Sequence, residues 1–204
     1  MKPPASSYAA LLHYFAPLAL QSIAQSLTYP LVTMVAARGP GGPLNLAGLA
    51  QSQTVNGVLW TLASGLITAG MVLGRTPQGL ARCIRINNGL IVVIAGAYAV
   101  LMLPPVSHLL FGRLMGLPPP IEAPATVTLR AALPLMIVFF ARNPYHIALF
   151  NNNATGAAFG AAAARVALTL LMSPLLCALG LVGPLWAVAC LTVPVILETL
   201  LLRR

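Results

Sequence analysis

The chain has no aspartate and only two glutamates, Glu122 and Glu198, against ten arginines and one lysine. Charged residues make up 6% of its 204 residues, whereas a soluble domain carries about 25%. Hydrophobic residues make up 59%. This composition excludes an ordinary soluble domain and indicates an integral membrane protein.

The shortage of acids and the spacing of the cysteines also exclude several kinds of site. Cys83, Cys177 and Cys190 form no CxxC motif and no Cys/His cluster, so neither a metal site nor a disulfide framework is indicated. Ser107 and His108 are neighbours in sequence only, which does not make a nucleophile–base dyad. We therefore expect no enzyme, no metal and no cofactor.

The net charge of +9 would favour a nucleic-acid ligand in a soluble protein. Here the arginines lie mostly at the ends of apolar runs, where anionic lipid headgroups and the positive-inside rule account for them. The bias toward the loop with Arg75, Arg82 and Arg85 predicts that both termini are cytoplasmic. We expect a multi-pass protein of the inner (plasma) membrane, with membrane lipid and no nucleic acid as partners.

Six apolar runs are long enough to cross a bilayer, which needs about 20 residues each. Only short loops remain between them, so residues 1–204 are predicted to form a single all-α transmembrane domain, a bundle of six helices. The predicted helices cover about 8–36, 46–73, 86–111, 124–150, 156–179 and 184–202. Thr76 followed by Pro77 is typical of a helix N-terminus.

The first two predicted helices each carry an uncharged polar stripe at helical spacing. Gln21, Gln25 and Tyr29 recur every four residues in the first, and Gln53 and Asn56 belong to a similar face of the second. Such stripes either line a cavity or form hydrogen bonds between helices, and both interpretations remain open.

The stretch Phe139–Asn153 interrupts an apolar run with polar and ionisable residues. Pro144 removes a backbone donor where Arg142, Asn143 and His146 need partners. One interpretation is a polar site or hinge in the inner half of the bundle. The alternative is an arginine that extends to the headgroups beside a tolerated proline kink.

Two ionisable residues fall in the last two predicted helices. Arg165 either extends to the headgroups or faces the same interior as Arg142, and Glu198 is predicted to pair with Arg203, Arg204 or a loop arginine. The candidate substrate-binding residues are those of the polar stripes and of the interrupted run: Gln21, Gln25, Tyr29, Gln53, Asn56, Arg142, Asn143 and His146.

The stretch FAPLALQSIAQSLTYPLVTMVAARGPGGPLNLAGLA resembles the opening of the multidrug and toxin extrusion (MATE) proteins and their polysaccharide-flippase relatives. The matching positions are Pro17, Val32, Val35, Arg38, Gly39 and Ala47-Gly48-Leu49. The segment LRAALPLMIVFFARNPYHIALF is similar to the progressive ankylosis membrane protein, which is proposed to export small anions. Its matching positions are Ala132, Leu133, Pro134, Met136 and His146.

The resemblance implies an exporter built from two six-helix lobes, of which this chain would supply one. Many cation-coupled members use an intramembrane acid, often in the first helix, where this chain has Thr33 and no acid. We therefore expect a half-size transporter that works as a dimer and exports a small anionic or lipid-linked substrate. The alternative is an accessory subunit that transports nothing and forms a hetero-oligomer with other membrane subunits.

Overall fold

The computed structural model describes residues 8–152 and 154–203, and within 8–25 it describes only the side chains of Phe15, Ala16, Ala19 and Ile23. All regular secondary structure in these residues is helical, which confirms the predicted all-α class. The helices are α1 (Tyr8–Ala37), α2 (Gly42–Leu73), α3 (Pro77–Leu101), α4 (Pro104–His108), α5 (Pro119–Ala141), α6 (Asn143–Asn151), α7 (Thr155–Ala178) and α8 (Pro184–Leu202), with a π-helical segment, Leu109–Leu114, after α4.

Within the described residues, five helical stretches are long and apolar enough to cross a membrane. They are Gly42–Leu73, Pro77–Leu101, Pro119–Asn151, Thr155–Ala178 and Pro184–Leu202. The described part of α1 adds a shorter apolar stretch, Ser26–Ala37. The chain is thus a helical protein of the multi-pass membrane type, and the sixth span, over residues 8–36, stays a prediction.

The predicted bounds of the third helix, 86–111, are wrong at both ends. α3 begins at Pro77, because the Thr76 side chain caps the helix by accepting a hydrogen bond from the Gly79 N–H at 3.1 Å. It ends at Leu101, since Pro104 and Pro105 cannot donate backbone hydrogen bonds and instead begin α4. The predicted cap at Thr76 and Pro77 is confirmed.

The predicted fourth helix, 124–150, differs in two ways from the structure. α5 begins earlier, at Pro119, because prolines are tolerated in a first helical turn whose N–H groups have no helical partner. The helix is also divided: α5 ends at Ala141 and α6 begins at Asn143, with Arg142 between them. Pro144, in the first turn of α6, accounts for the division.

α5 lies at the centre of the packing and contacts α2, α3 and α8, while α1 packs against α7. The buried core residues of α5 include Leu129, Met136 and Phe140. Gly48 allows α2 to approach α5 closely, since a Cβ atom there would lie 2.7 Å from the Ala125 nitrogen. Small residues let membrane helices approach in this way.

The turn between α1 and α2 rests on the turn between α7 and α8. The Gly183 N–H donates a hydrogen bond to the Val35 carbonyl at 3.0 Å, and a Cβ atom on Gly39 would lie 2.6 Å from the Gly183 Cα. This contact fixes one end of the four helices that, with α5, surround the site described next.

Candidate functional site

Glu198 of α8 is bound by two buried arginines from other helices. Its Oε2 accepts hydrogen bonds from the Nη1 atoms of Arg142 and Arg165, the second at 2.9 Å. Arg142, between α5 and α6, is 3% exposed, Arg165 of α7 is 4% exposed, and Glu198 is fully buried. These three residues, here called the Glu198 cluster, bring three parts of the chain to one point.

The interruption at Arg142 has an identifiable cause. Pro144 has no N–H group, so it cannot donate to the carbonyl of Phe140 four residues earlier. The Nδ2 group of Asn87, on α3, donates to that carbonyl at 3.0 Å instead. Asn143 in turn donates to Asn87 Oδ1 at 3.3 Å, so the break is tied to α3.

His146 lies beside the cluster without bonding to it. Its Nε2 is 3.8 Å from Glu198 Oε1, which is too long for a hydrogen bond. Neither its ring nitrogens nor Glu198 Oε1 has a hydrogen-bond partner among the described residues. The ring packs 5.5 Å from that of Phe150, measured between centroids. His146 therefore adds a polar group whose bonding capacity is unused.

The cluster carries more positive than negative charge. Two arginines share one carboxylate, and the other acid of the chain, Glu122, is paired with His108 at 2.7 Å in a different part of the structure. No further acidic side chain exists in the sequence. One buried positive charge is therefore left without a counter-ion from the side chains of this protein.

The position of the cluster makes that charge costly. At about 1.5 Å per residue, Arg142 and Arg165 lie roughly 15 Å from the helix ends at Asn151 and Thr155. An arginine near the centre of a bilayer costs about 2.5–3.5 kcal/mol on insertion scales. Such groups are rare in membrane helices, and they mark functional sites when they face the bundle interior.

A cavity of about 200 Å³ lies next to the cluster, among α1, α2, α5, α7 and α8. We call it the Trp60 cavity. Its lining is Thr28, Tyr29, Trp60, Ser64, Leu135, Phe139, Arg165, Leu191 and Val195. Arg165 is the one residue that belongs both to this lining and to the Glu198 cluster.

Arg142 contacts an aromatic residue of the cavity lining but does not line the cavity itself. Its guanidinium carbon lies 3.9 Å from the centroid of the Phe139 ring, in a cation–π contact. Phe139 lines the cavity and lies 6.0 Å from the Trp60 ring. Arg142 is thereby held against Glu198, whereas Arg165 reaches the cavity wall.

The structure places the eight candidate residues in more than one location. Arg142, Asn143 and His146 lie together at the break between α5 and α6, and Tyr29 lines the Trp60 cavity. On α2, Asn56 accepts a hydrogen bond from the Tyr98 hydroxyl. Gln53 is buried, and its Oε1 has no partner among the described residues. The side chains of two further candidates lie outside the described residues, Gln21 and Gln25.

Sequence reasoning missed Glu198 as a member of the site. The predicted partners, Arg203, Arg204 or a loop arginine, were wrong, because Glu198 lies on the buried face of α8 with Val188, Leu191 and Val195. The residues of that face are three or four positions apart, as expected for one side of a helix. Because α8 is apolar on nearly all sides, its sequence does not reveal which side is buried. The sequence allowed two orientations of Arg165, and the structure shows that its side chain faces the interior, as that of Arg142 does.

A second, larger cavity of about 840 Å³ lies where α2 and α6 end and α3 begins. Arg75, Thr76, Asn151 and Asn152 contribute polar groups to its lining, and Val72 is among its apolar residues. Arginine beside exposed aliphatic side chains is typical of the boundary between hydrocarbon and lipid headgroups.

In the described residues, no three His, Cys, Asp or Glu side chains are grouped closely enough to hold a metal ion. Two arginines share one carboxylate in the Glu198 cluster, and the Trp60 cavity has no acidic side chain in its lining. A comparison with protein-family models, curated proteins and solved structures finds no match to this chain.

Proposed function

We propose that this chain is one six-helix half of a membrane transporter of the MATE and flippase type, which works as a dimer and exports a small anionic or lipid-linked substrate. The observation that carries the proposal is the excess positive charge of the Glu198 cluster. A buried charge is costly unless it is paired. An anionic substrate that supplies the missing negative charge would be bound selectively over neutral or cationic molecules.

The outer surface of α2 supports the pairing of this lobe with a second one. Thr54, Thr61 and Thr68 are exposed along one face, and Cβ atoms added to Gly57 and Gly65 would meet nothing within 4 Å. Each threonine hydroxyl donates to the carbonyl four residues earlier. A face of small residues with satisfied hydroxyls fits a second helix better than it fits lipid.

The proposed orientation has both termini in the cytoplasm at the inner (plasma) membrane. Arg75, Arg82 and Arg85 are all exposed between α2 and the first turns of α3, as expected for a positively charged cytoplasmic loop. Tags at the two termini should be accessible from the same, cytoplasmic, side in intact cells. Accessibility of the two tags from opposite sides would exclude the six-span arrangement.

Transport can be measured with the purified full chain in proteoliposomes. The assay would follow uptake of labelled phosphate or sulfate and, separately, the flipping of an anionic lipid with a labelled headgroup. Arg165→Gln is the informative variant, because it removes the excess charge while Glu198 keeps Arg142. Arg130→Gln is the matched control, since Arg130 is exposed and donates to the Met102 carbonyl instead.

We expect the native chain and Arg130→Gln to move one of these substrates, and Arg165→Gln to lose that transport. Flux equal to that of empty vesicles, or full activity in Arg165→Gln, would contradict the proposal. Size-exclusion profiles of all three proteins should coincide, so that a loss of transport is not a loss of folding.

A second candidate function is that of an accessory subunit in a larger membrane complex. The outward face of α7 favours it, because Gly156 and Gly160 are exposed and a Cβ atom on either would meet nothing within 4 Å. Gentle detergent extraction followed by mass determination separates the two candidates. A homodimer favours transport, whereas a stable assembly with foreign membrane subunits that cover α2 and α7 favours the accessory role.

A further inference from the structure

The polar groups that line the Trp60 cavity are hydrogen-bond donors. Arg165 and Trp60 can only donate, and the hydroxyls of Tyr29 and Ser64 can rotate to donate. No acidic side chain lines the cavity. A site built from donors and one cation selects an anion.

Two of these donors have unused capacity. Arg165 is 4% exposed, and its Nε has no hydrogen-bond partner among the described residues. The buried Nε1 of Trp60 also has no hydrogen-bond partner among them. A buried donor without a partner costs about 1–3 kcal/mol. Ligand oxygens within reach of these groups would remove that cost.

The size of the cavity limits the ligand. Pockets for drug-sized molecules measure about 300–1,000 Å³, whereas this one measures about 200 Å³. It suits an oxyanion of the size of phosphate or sulfate, or the charged group of a larger molecule whose remainder lies elsewhere.

Arg165 is shared between this cavity and the Glu198 carboxylate. Its Nη1 binds Glu198 Oε2 at 2.9 Å while the same side chain forms part of the cavity wall. Glu198 also holds Arg142, which packs on the Phe139 ring and is not part of the cavity lining. The carboxylate can therefore release Arg165 and still keep one arginine as its partner.

We propose that the Trp60 cavity is a binding site for a small oxyanion, and that Glu198 is a built-in competitor which the oxyanion displaces from Arg165. This proposal rests on the proposed function and names the substrate class of the same site. A bound monoanion brings the charge of the Glu198 cluster to zero, with each arginine facing one negative group. Trp60 donates its indole N–H to the oxyanion.

The test measures the binding of inorganic phosphate and sulfate to the purified full chain in detergent. Binding is detected as a shift of the thermal unfolding midpoint at constant ionic strength. Sodium gluconate serves as the background salt, at one concentration for every variant. The variants are Arg165→Gln, Trp60→Phe, Glu198→Gln and the double variant Arg142→Gln/Glu198→Gln, with Arg130→Gln as control.

We expect phosphate or sulfate to stabilise the native chain and Arg130→Gln, and not Arg165→Gln. Trp60→Phe should weaken binding several-fold because it removes one donor. Glu198→Gln removes the competitor, so the apparent Kd should fall by about tenfold, the change expected for freeing one hydrogen bond to a charged group. The double variant keeps the native net charge of the cluster and should also bind phosphate or sulfate more tightly than the native chain. It tests the competition even if Glu198→Gln alone does not fold.

Each contrary result has a defined meaning. Stabilisation of Arg165→Gln equal to that of the native chain overturns the site, and an unchanged Kd in both glutamate variants overturns the competition. If the predicted binding is seen but vesicles show no flux, the site stands and the proposed function fails. If flux depends on Arg165 while the glutamate variants bind like the native chain, the proposed function stands and the competition fails.

Discussion

Asn87 on α3 donates a hydrogen bond to the carbonyl of Phe140, the acceptor that Pro144 cannot serve. A side chain distant in sequence thus replaces a helical N–H at the point where α5 gives way to α6. The Phe140 carbonyl that accepts this hydrogen bond lies just before Arg142 and Asn143, both of which are buried. The interruption of the helix and the buried charge are therefore parts of one local arrangement.

The first prediction concerns this replacement. Asn87→Ala should lower the free energy of unfolding by about 1–3 kcal/mol, because it leaves a buried carbonyl without the donor that Asn87 supplies. Asn88→Ala is the control, since Asn88 is exposed on the same helix. Thermal unfolding in detergent measures both, and an equal effect of the two variants would contradict the prediction.

The second prediction is a coupling between Asn87 and Pro144. Pro144→Ala restores a backbone N–H that can donate to the Phe140 carbonyl, so the loss of Asn87 should cost less in that background. A double-mutant cycle should give a coupling of about 0.5–3 kcal/mol, the range for residues in one hydrogen-bond network. Additive effects would show that the two residues do not serve the same carbonyl.

The third prediction compares the two acids of the chain. Glu198→Ala should destabilise the fold by about 3–5 kcal/mol, because it leaves two buried arginines without their partner. Glu122→Ala should cost at most about 1 kcal/mol, since its partner His108 is largely exposed. Denaturation of the two variants under one condition gives the comparison, and a similar loss for both would contradict a buried role for Glu198.

The fourth prediction concerns two helical glycines, Gly48 of α2 and Gly89 of α3. Gly48→Ala should destabilise the protein, because its Cβ would lie 2.7 Å from the Ala125 nitrogen and 2.8 Å from the Pro124 Cβ. Gly89→Ala meets nothing within 4 Å and should stabilise α3 by up to about 1 kcal/mol through helix propensity. Unfolding midpoints test the pair, and the prediction fails if the order is reversed.

Part of the site could be predicted from the sequence, and part could not. Arg142, Asn143 and His146 stand out because polar residues interrupt an apolar run beside a proline. Glu198 does not stand out in the same way, because it lies near a helix end where a loop partner is the simpler expectation. Tyr29 belongs to a predicted polar stripe of α1, but the cavity that it lines together with Trp60 depends on how α1 and α2 are rotated about their axes.

The amino-acid sequence by itself determined that this protein is of the helical membrane type. Its few charged residues and long apolar runs suit helices that are surrounded by lipid and not by water. The sequence also contains the local signals for a helix N-terminus at Thr76 and Pro77 and for an interruption near Pro144, because N-caps and prolines act within a few residues. Only the tertiary structure decided that Arg142 and Arg165 share Glu198, and that Arg165 alone of the three lines a cavity. Those contacts join segments that are distant in the chain. When a helix is apolar on every side, no local sequence pattern determines which of its faces packs against which neighbouring helix.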